Sequence, residues 1–251
     1  MFERLLRFVY PDRCLLCDDI LPIGVKADAG LRRSDTDKME LIEKYVCVKC
    51  GKDAYNNDAL KSFIFLDRSV KTDKIAKVSA VFEYKGIARD AVRRFKFNGR
   101  ADYARAFAAF MAEKFTDACP TDACPVDKAV IIPTPMHKKK LRERGYNQAE
   151  LLAKNLASLM DAPFAPKALA RVKNTSPQYG LSYEQRRKNV AGAFLVVDSA
   201  AISGESALLI DDIYTTGATL DSCAEALLKA GSKKVYGLCL SAIERHETDV
   251  S

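Results

Sequence analysis

Two adjacent carboxylates, Asp211 and Asp212, followed by the turn Thr215-Thr216-Gly217-Ala218-Thr219, are the residues of this chain best placed to do chemistry. Four apolar residues, Ala207-Leu-Leu-Ile210, run straight into the acids, and an amphipathic run opens at Leu220. The apolar run has the length of a buried parallel strand, and the run after Leu220 repeats at helical spacing. A loop rich in Thr and Gly at a strand-to-helix junction aims backbone N–H groups, hydroxyls and the positive end of the helix dipole at one spot. That spot suits a phosphate monoester. Two carboxylates would repel the phosphate, so they must hold another part of the ligand. An ionised carboxylate only accepts hydrogen bonds and can grip a vicinal diol. A ribose phosphorylated at its 5-position fits both halves. Asp-Asp alone would be a solvated turn, but the strand before it and the hydroxyl-rich turn after it argue otherwise.

Two more polar segments belong to the same picture. The stretch from Ile132 to Gln148 carries Lys138, Lys139, Lys140, Arg142 and Arg144 at the end of an apolar run, just before a helix start. A basic loop beside a phosphate cradle would balance the several charges of a diphosphate. Arg144 offers a planar guanidinium for bidentate contact, and Gly145 lets the backbone approach closely. Thr134, Arg144, Gly145 and Asn147 are therefore the residues expected against a diphosphate. The segment from Arg171 to Val190 is long, basic and broken by Pro177 and Gly180, which suits a lid. Its candidates are Lys173, Gln178, Arg187 and Asn189.

Cys14-Leu-Leu-Cys17 and Cys47-Val-Lys-Cys50 form two pairs with the spacing of a tetrahedral zinc site. Gly51 gives the second knuckle conformational freedom, and four thiolates would close the coordination shell around a structural ion. Residues 24–46 read as an extended polar loop ending in a short helical stretch near Met39–Tyr45. Cys119 and Cys124, beside Pro120 and Pro125, read as free thiols in a loop.

These groups must be positioned by strands and helices in alternation. Strands are expected at 78–84, 129–132 and 235–242, and helices after Gly86, at 101–115 and at 148–160. Such alternation predicts a parallel sheet with helices on both faces and ligand loops at the strands' C-terminal ends. The expected division is a zinc-binding module with its loop at 1–76 and an α/β domain at 77–251. A module that small has little core and should depend on its metal while the larger domain stands alone.

The Asp211–Thr219 arrangement resembles the PRPP-binding loop of type I phosphoribosyltransferases. That resemblance implies that the acids hold the ribose 2- and 3-hydroxyls and that Thr215, Thr216, Gly217, Ala218 and Thr219 hold the 5-phosphate. A narrower resemblance runs over nearly the whole chain. The paired cysteines, Tyr84-Lys85-Gly86, Phe95-Lys96-Phe97, Arg144-Gly145-Tyr146-Asn147-Gln148, Gln178, Arg187–Asn189, Gly192-Ala193-Phe194 and the Asp211 loop follow one another as in the ComF family of competence-associated, phosphoribosyltransferase-like proteins. It implies a type I phosphoribosyltransferase-like fold with an N-terminal zinc ribbon, PRPP with Mg2+ as ligand, and a role in taking up transforming DNA. Many relatives carry further cysteine pairs; this chain offers two, which implies one zinc.

Composition bounds the function without choosing it. With 48% apolar residues the chain can build a sizeable core, and a net charge of +7 permits phosphate-bearing partners, small molecule or nucleic acid. The first ten residues mix an acid and two arginines among apolar side chains, unlike a signal peptide, so a cytoplasmic protein with reduced cysteines is expected. Residue 2 is Phe, so the N-terminal-cysteine glutaminase of amidophosphoribosyltransferases is not expected. Four roles are compatible with the residues. They are transfer from PRPP to an unidentified acceptor with release of pyrophosphate, nucleobase salvage, silent sensing of PRPP, and an adaptor for single-stranded DNA or a competence helicase. For DNA the expected surface is Arg89, Arg93, Arg94 and Lys96, interleaved with Tyr84, Phe95 and Phe97.

Overall fold

Runs of apolar residues too short for helices pair into one parallel sheet. The computed structural model describes residues 12–21, 44–50, 72, 74–118, 129–173, 175 and 183–243. Among these, β1 (Lys77–Glu83) is followed by α1 (Gly86–Phe97) and α2 (Tyr103–Ala118). Next come β2 (Val130–Pro133), α3 (Lys138–Arg144) and α4 (Gln148–Met160). A short antiparallel pair, β3 (Leu169–Arg171) with β4 (Phe194–Val196), brackets α5 (Tyr183–Val190). The chain then runs through β5 (Ser206–Tyr214), α6 (Ala218–Lys229) and β6 (Lys234–Ala242). The main sheet has four parallel strands in the order β1-β6-β5-β2.

Alternation along each strand sends neighbouring side chains to opposite layers. Ile131, Leu208, Ile210, Leu238 and Leu240 pack with α1, α2 and α4, whereas Val130, Ile132, Ala207, Leu209 and Val235 pack with α6 and the β3–β4 pair. Both faces are covered, as expected. Two helices went unforeseen. The basic loop after β2 contains α3, and the segment read as a lid contains α5, whose Val190 carbonyl accepts a 2.9 Å hydrogen bond from Ser222 of α6. Neither shows strong hydrophobic periodicity, because neither buries a continuous face. No helix among the described residues is long and apolar enough to cross a membrane.

The cysteine pairs meet. The four sulfurs of Cys14, Cys17, Cys47 and Cys50 all lie within 4.8 Å of one another, and Cys17 Sγ is 3.7 Å from Cys47 Sγ. Sulfurs bonded tetrahedrally at ~2.3 Å from zinc would be about 3.8 Å apart, so the cluster fits that ion. Backbone amides support it: Cys47 N donates to Cys14 Sγ at 3.3 Å and Cys50 N to Cys47 Sγ at 3.4 Å. Burial and the neighbouring sulfurs push the Cys50 thiol up, so thiolates this close call for a cation to ionise together. Gly51, Cys119, Cys124 and nearly all of the 24–46 loop lie outside the described residues.

Packing does not break at residue 76. Leu15, Leu16, Leu21, Tyr45 and Val46 belong to the same buried cluster as α1, α2 and α4. Arg94 of α1 donates to the Leu15 and Leu16 carbonyls. Tyr103 of α2 donates to the Cys14 carbonyl at 3.2 Å and to Asp18 at 2.8 Å, and Arg100 pairs with Asp18. Leu15 and Leu16, 1% and 5% exposed, each contribute about 1.5–3 kcal/mol by leaving water. The knuckle is thus packed against the large core, and on that packing the two are expected to share stability. Chelation, or Cys47→Ser, should lower the main thermal transition of the full chain by about 5 °C or more. Calorimetric melts check this; a main transition left at the parental temperature, with only a small separate step lost, would show two independent units.

Candidate functional site

Strand β5 lies inside the sheet, and its C-terminal end carries both acids past the edge of shorter β2. Pro133 is in register with Ile210, and Thr134 N donates to the Ile210 carbonyl at 2.9 Å. That register sets Thr134 beside Asp211. Thr134 Oγ1 donates to Asp211 Oδ1 at 2.9 Å, and Asp212 N donates to the same oxygen at 2.9 Å. Asp212 takes a cation instead: Lys96 Nζ of α1 lies 2.6 Å from its Oδ2. Asn147 holds the opposite wall to the strand end, its Nδ2 donating to the Thr134 carbonyl at 3.0 Å.

The turn after the acids closes on Gly217, the left-handed N-cap of α6 at φ 76°. A Cβ there would meet Tyr214 Oη at 2.8 Å, so both the backbone conformation and the tyrosine ring exclude any larger residue. Thr216 is buried under the turn, its Oγ1 accepting from Ala218 N at 3.4 Å. The turn thereby brings Thr215, Gly217, Ala218 and Thr219 together at the N-terminus of α6.

These groups line one cavity of about 380 Å3. Its walls include Asp211, Asp212, Thr215, Gly217, Ala218 and Thr219 from the β5–α6 junction, and Thr134, Arg144 and Asn147 from the segment after β2. Five cations line it, Lys96, Lys140, Arg144, Arg171 and Arg186, against two carboxylates, so it attracts anions. Burial, with Arg171, Arg144 and Lys96 close by, pushes Lys140 below the ordinary lysine value. Tyr84 and Ile243 complete the lining from the ends of β1 and β6.

Some expected residues stand elsewhere. Gly145 does not line the cavity; at φ 82° it ends α3 as a left-handed cap, its N–H on the Leu141 carbonyl at 2.8 Å. Lys173 folds back onto the Ala191 carbonyl at 2.9 Å. Arg187 lines a smaller cavity of about 250 Å3 beside α6, with Lys74, Asp221 and Glu225. Asn189 is half-buried on α5 away from the lining, and Gln178 lies outside the described residues. One helical position, about 100° around α5, separates Arg187 from Arg186, which does line the main cavity. Lys96, Lys140 and Arg171 were not singled out as ligands. Lys140 and Arg144 are four residues apart, a spacing that would have put them on one face had α3 been foreseen. The expected DNA surface also divides. Arg89 and Arg93 are exposed, but Arg94 and Lys96 turn inward and Phe95 is fully buried.

A parallel sheet whose inner strand ends in paired acids and a hydroxyl-glycine turn at a helix N-terminus defines a type I phosphoribosyltransferase-like α/β fold. Along the sequence, the chain is 36% identical over 150 residues to competence protein F of Haemophilus influenzae, covering 59% of this chain and 65% of that protein, just under two thirds. It is 28% identical over 227 residues to competence protein ComFC of Bacillus subtilis, covering 87% and 89% of the two chains. It is 26% identical over 233 residues to the DNA utilization protein YhgH of Escherichia coli O157:H7, covering 92% and 96%. The chain is a homologue of these competence and DNA utilization proteins over most of its length, in agreement with the motif resemblance. No family model matches it. Among solved structures, glutamine PRPP amidotransferase of Bacillus subtilis gives a TM-score of 0.35 at 14% identity over 71% of this chain and 30% of that one. A likeness of that size carries no argument, and the fold class rests on strand order and the loop.

The carboxylates are unequal. Burial lifts the Asp211 carboxyl to about 7, and Asp212 pushes the same way, while the Thr134 hydrogen bond and Lys96 oppose them. A carboxyl that holds its proton more tightly in the fold than in the unfolded chain contributes stability below its unfolded value of ~4, and loses it as pH rises through about 7. The melting temperature should therefore fall between pH 5 and pH 8 more steeply for the parent than for Asp211→Asn. The variant should be the more stable at pH 8. Parallel pH profiles for the two proteins would contradict the raised carboxyl.

Proposed function

We propose that the cavity binds 5-phosphoribosyl diphosphate (PRPP), and that the protein is a ComF-like, phosphoribosyltransferase-type protein of the DNA-uptake machinery of natural competence. The observation that carries this reading is the convergence of Asp211, Asp212, Thr215, Gly217, Ala218 and Thr219 on one cavity rimmed by five cations, with Thr216 buried beneath the turn. In it, Asp211 and Asp212 accept from the ribose hydroxyls, and the α6 N-terminus with Thr215 and Thr219 holds the 5-phosphate. Lys140, Arg144, Arg171 and Arg186 face the diphosphate. The names of the relatives, competence protein and DNA utilization protein, support the biological half of the proposal.

Transfer would break the bond between ribose C1 and the diphosphate oxygen and form one from C1 to the acceptor, the bonding pair leaving with the diphosphate. Positive charge develops at C1 and the ring oxygen, so the protein's part is to orient the ribose and to stabilise the departing anion. Asp211 and Asp212, the only carboxylates lining the cavity among the described residues, are hard oxygen donors that suit Mg2+ arriving with the ligand. That ion would neutralise charge on the diphosphate. No histidine lines the cavity among the described residues, and the acceptor supplies the attacking atom. PRPP binding is the core of the reading, with turnover depending on such an acceptor; a silent PRPP sensor uses the same contacts.

Replacing Asp211 and Asp212 together by Asn keeps the shape and removes two charge-assisted hydrogen bonds of ~1.5–3 kcal/mol each. Affinity for PRPP and ribose 5-phosphate should fall by about two to four powers of ten, and affinity for inorganic phosphate should not. Titration calorimetry with Mg2+ checks this; a double variant that binds PRPP like the parent would leave the acids as a turn only.

A second reading, contact with single-stranded DNA, is favoured by Phe97. This residue ends α1 with 61% of its surface exposed, and the Arg144 guanidinium lies 5.1 Å from its ring centroid. An open aromatic face under a cation at the rim of a basic cavity offers a base a stacking platform. A helicase partner would meet the protein through the same strand. Phe97→Ala should weaken single-stranded DNA binding by about five- to a hundredfold, read by fluorescence anisotropy. Arg93→Ala should flatten the salt dependence. Unchanged binding in Phe97→Ala would remove this platform from the DNA reading.

A further inference from the structure

The last turn of α1 is held from three sides. On one side, Arg94 Nη2 donates to the Leu15 carbonyl at 3.3 Å and to that of Leu16, inside the Cys14–Cys17 knuckle. On another, the carbonyls that end the helix are taken by side chains flanking α4: Tyr146 Oη donates to Phe95 O, and Gln148 Nε2 to Lys96 O at 3.1 Å. On the third, Lys96 Nζ lies 2.6 Å from Asp212 Oδ2. Between the two cations Phe95 is fully buried, its ring 5.5 Å from that of Phe107. Residues two apart on a helix diverge by about 200°, so Arg94 and Lys96 reach opposite ways from one rigid turn. The knuckle is itself pinned by Tyr103 and Arg100.

We propose that Arg94 is a positioning residue: anchored on the knuckle carbonyls, it fixes the register of α1 so that Lys96 stands against Asp212, and the state of the four-cysteine cluster thereby sets the charge at the ligand site. Lys96 neutralises the carboxylate next to Asp211 and lowers the repulsion that two adjacent acids exert on an incoming anion. When the knuckle loosens, the Arg94 anchor goes, the turn frays and Lys96 leaves Asp212. Both contacts leave one nitrogen, Nη2, and the planar guanidinium that carries it is more pre-organised than an ammonium on a flexible stem. Where it concerns ligand affinity, this proposal rests on the PRPP reading; where it concerns the placement of Lys96, it does not.

The test compares the metal-replete full chain with Arg94→Gln, Arg94→Lys, Lys96→Met and the Arg94→Gln/Lys96→Met double variant. The first readout is the acetylation rate of Lys96, followed by mass spectrometry and normalised to Lys154, which is exposed on α4. Lys96 should react about fivefold faster or more in Arg94→Gln and in the chelated parent, with Arg94→Lys between them. An unchanged rate in both Arg94 variants overturns the proposal. The second readout is PRPP affinity as a double-mutant cycle. Lys96→Met should weaken binding about ten- to a hundredfold. Arg94→Gln should weaken it no more than that, and the double variant should match Lys96→Met alone. Additive losses would mean that Arg94 acts by another route and would also overturn the proposal. Parental far-UV circular dichroism in every variant separates repositioning from unfolding. If the parent binds no PRPP, the ribose reading fails, and Lys96 acetylation alone decides the positioning role.

Discussion

Two negative charges on consecutive residues at the end of a covered strand repel each other and lose hydration together, and much of the surrounding structure answers that cost. Asp211 is met by the Thr134 hydroxyl and the Asp212 amide, both at 2.9 Å, and Asp212 by Lys96. The compensation comes from three parts of the chain, namely the segment after β2, the β5 backbone and α1. The parallel sheet brings these parts together because it gathers C-terminal strand ends at one edge. The compensation is incomplete, as the raised Asp211 carboxyl shows. Acids short of neutralising contacts with cations crowded around them support the proposed ligand, which carries both hydroxyls and phosphates.

The strand-to-helix junction at β5 was legible because it is local. A strand, two acids and a hydroxyl-glycine turn follow each other within fifteen or so positions, and each is recognisable by residue type. The sheet strands and α4 were legible for the same reason, through period and length. Contacts across the fold were not. Nothing in the spacing of Arg94 and Lys96 told that one would face a cysteine knuckle and the other a carboxylate more than a hundred positions away. Phe95 and Phe97 looked alike in sequence, yet one is fully buried and the other 61% exposed. Helix phase decides between them, and phase in a short basic helix is set by tertiary packing that composition does not reveal.

The cysteine cluster shows a similar limit. Its membership was plain from two paired spacings, but its attachment was not, because Tyr103 and Arg100 of α2 hold the knuckle through long-range hydrogen bonds. A small four-cysteine module in such a chain need not be an appendage. Here Leu15 and Leu16 are as much a part of the interior as the strand residues.

Strand order also fixes the sequence of events during synthesis. β1 leaves the ribosome early, yet its strand partner in the described sheet is β6, where Lys77 pairs with Tyr236. Until the C-terminal strand emerges, both long edges of β1 stay unpaired, a template for unwanted association. The knuckle, α1 and α2 are complete well before that point and can shield one face of the waiting strand through Phe82 and its ring contacts with Phe107 and Phe110. A chain cut short before Lys234 would keep the cysteine cluster and both acids and still lack the strand that joins them.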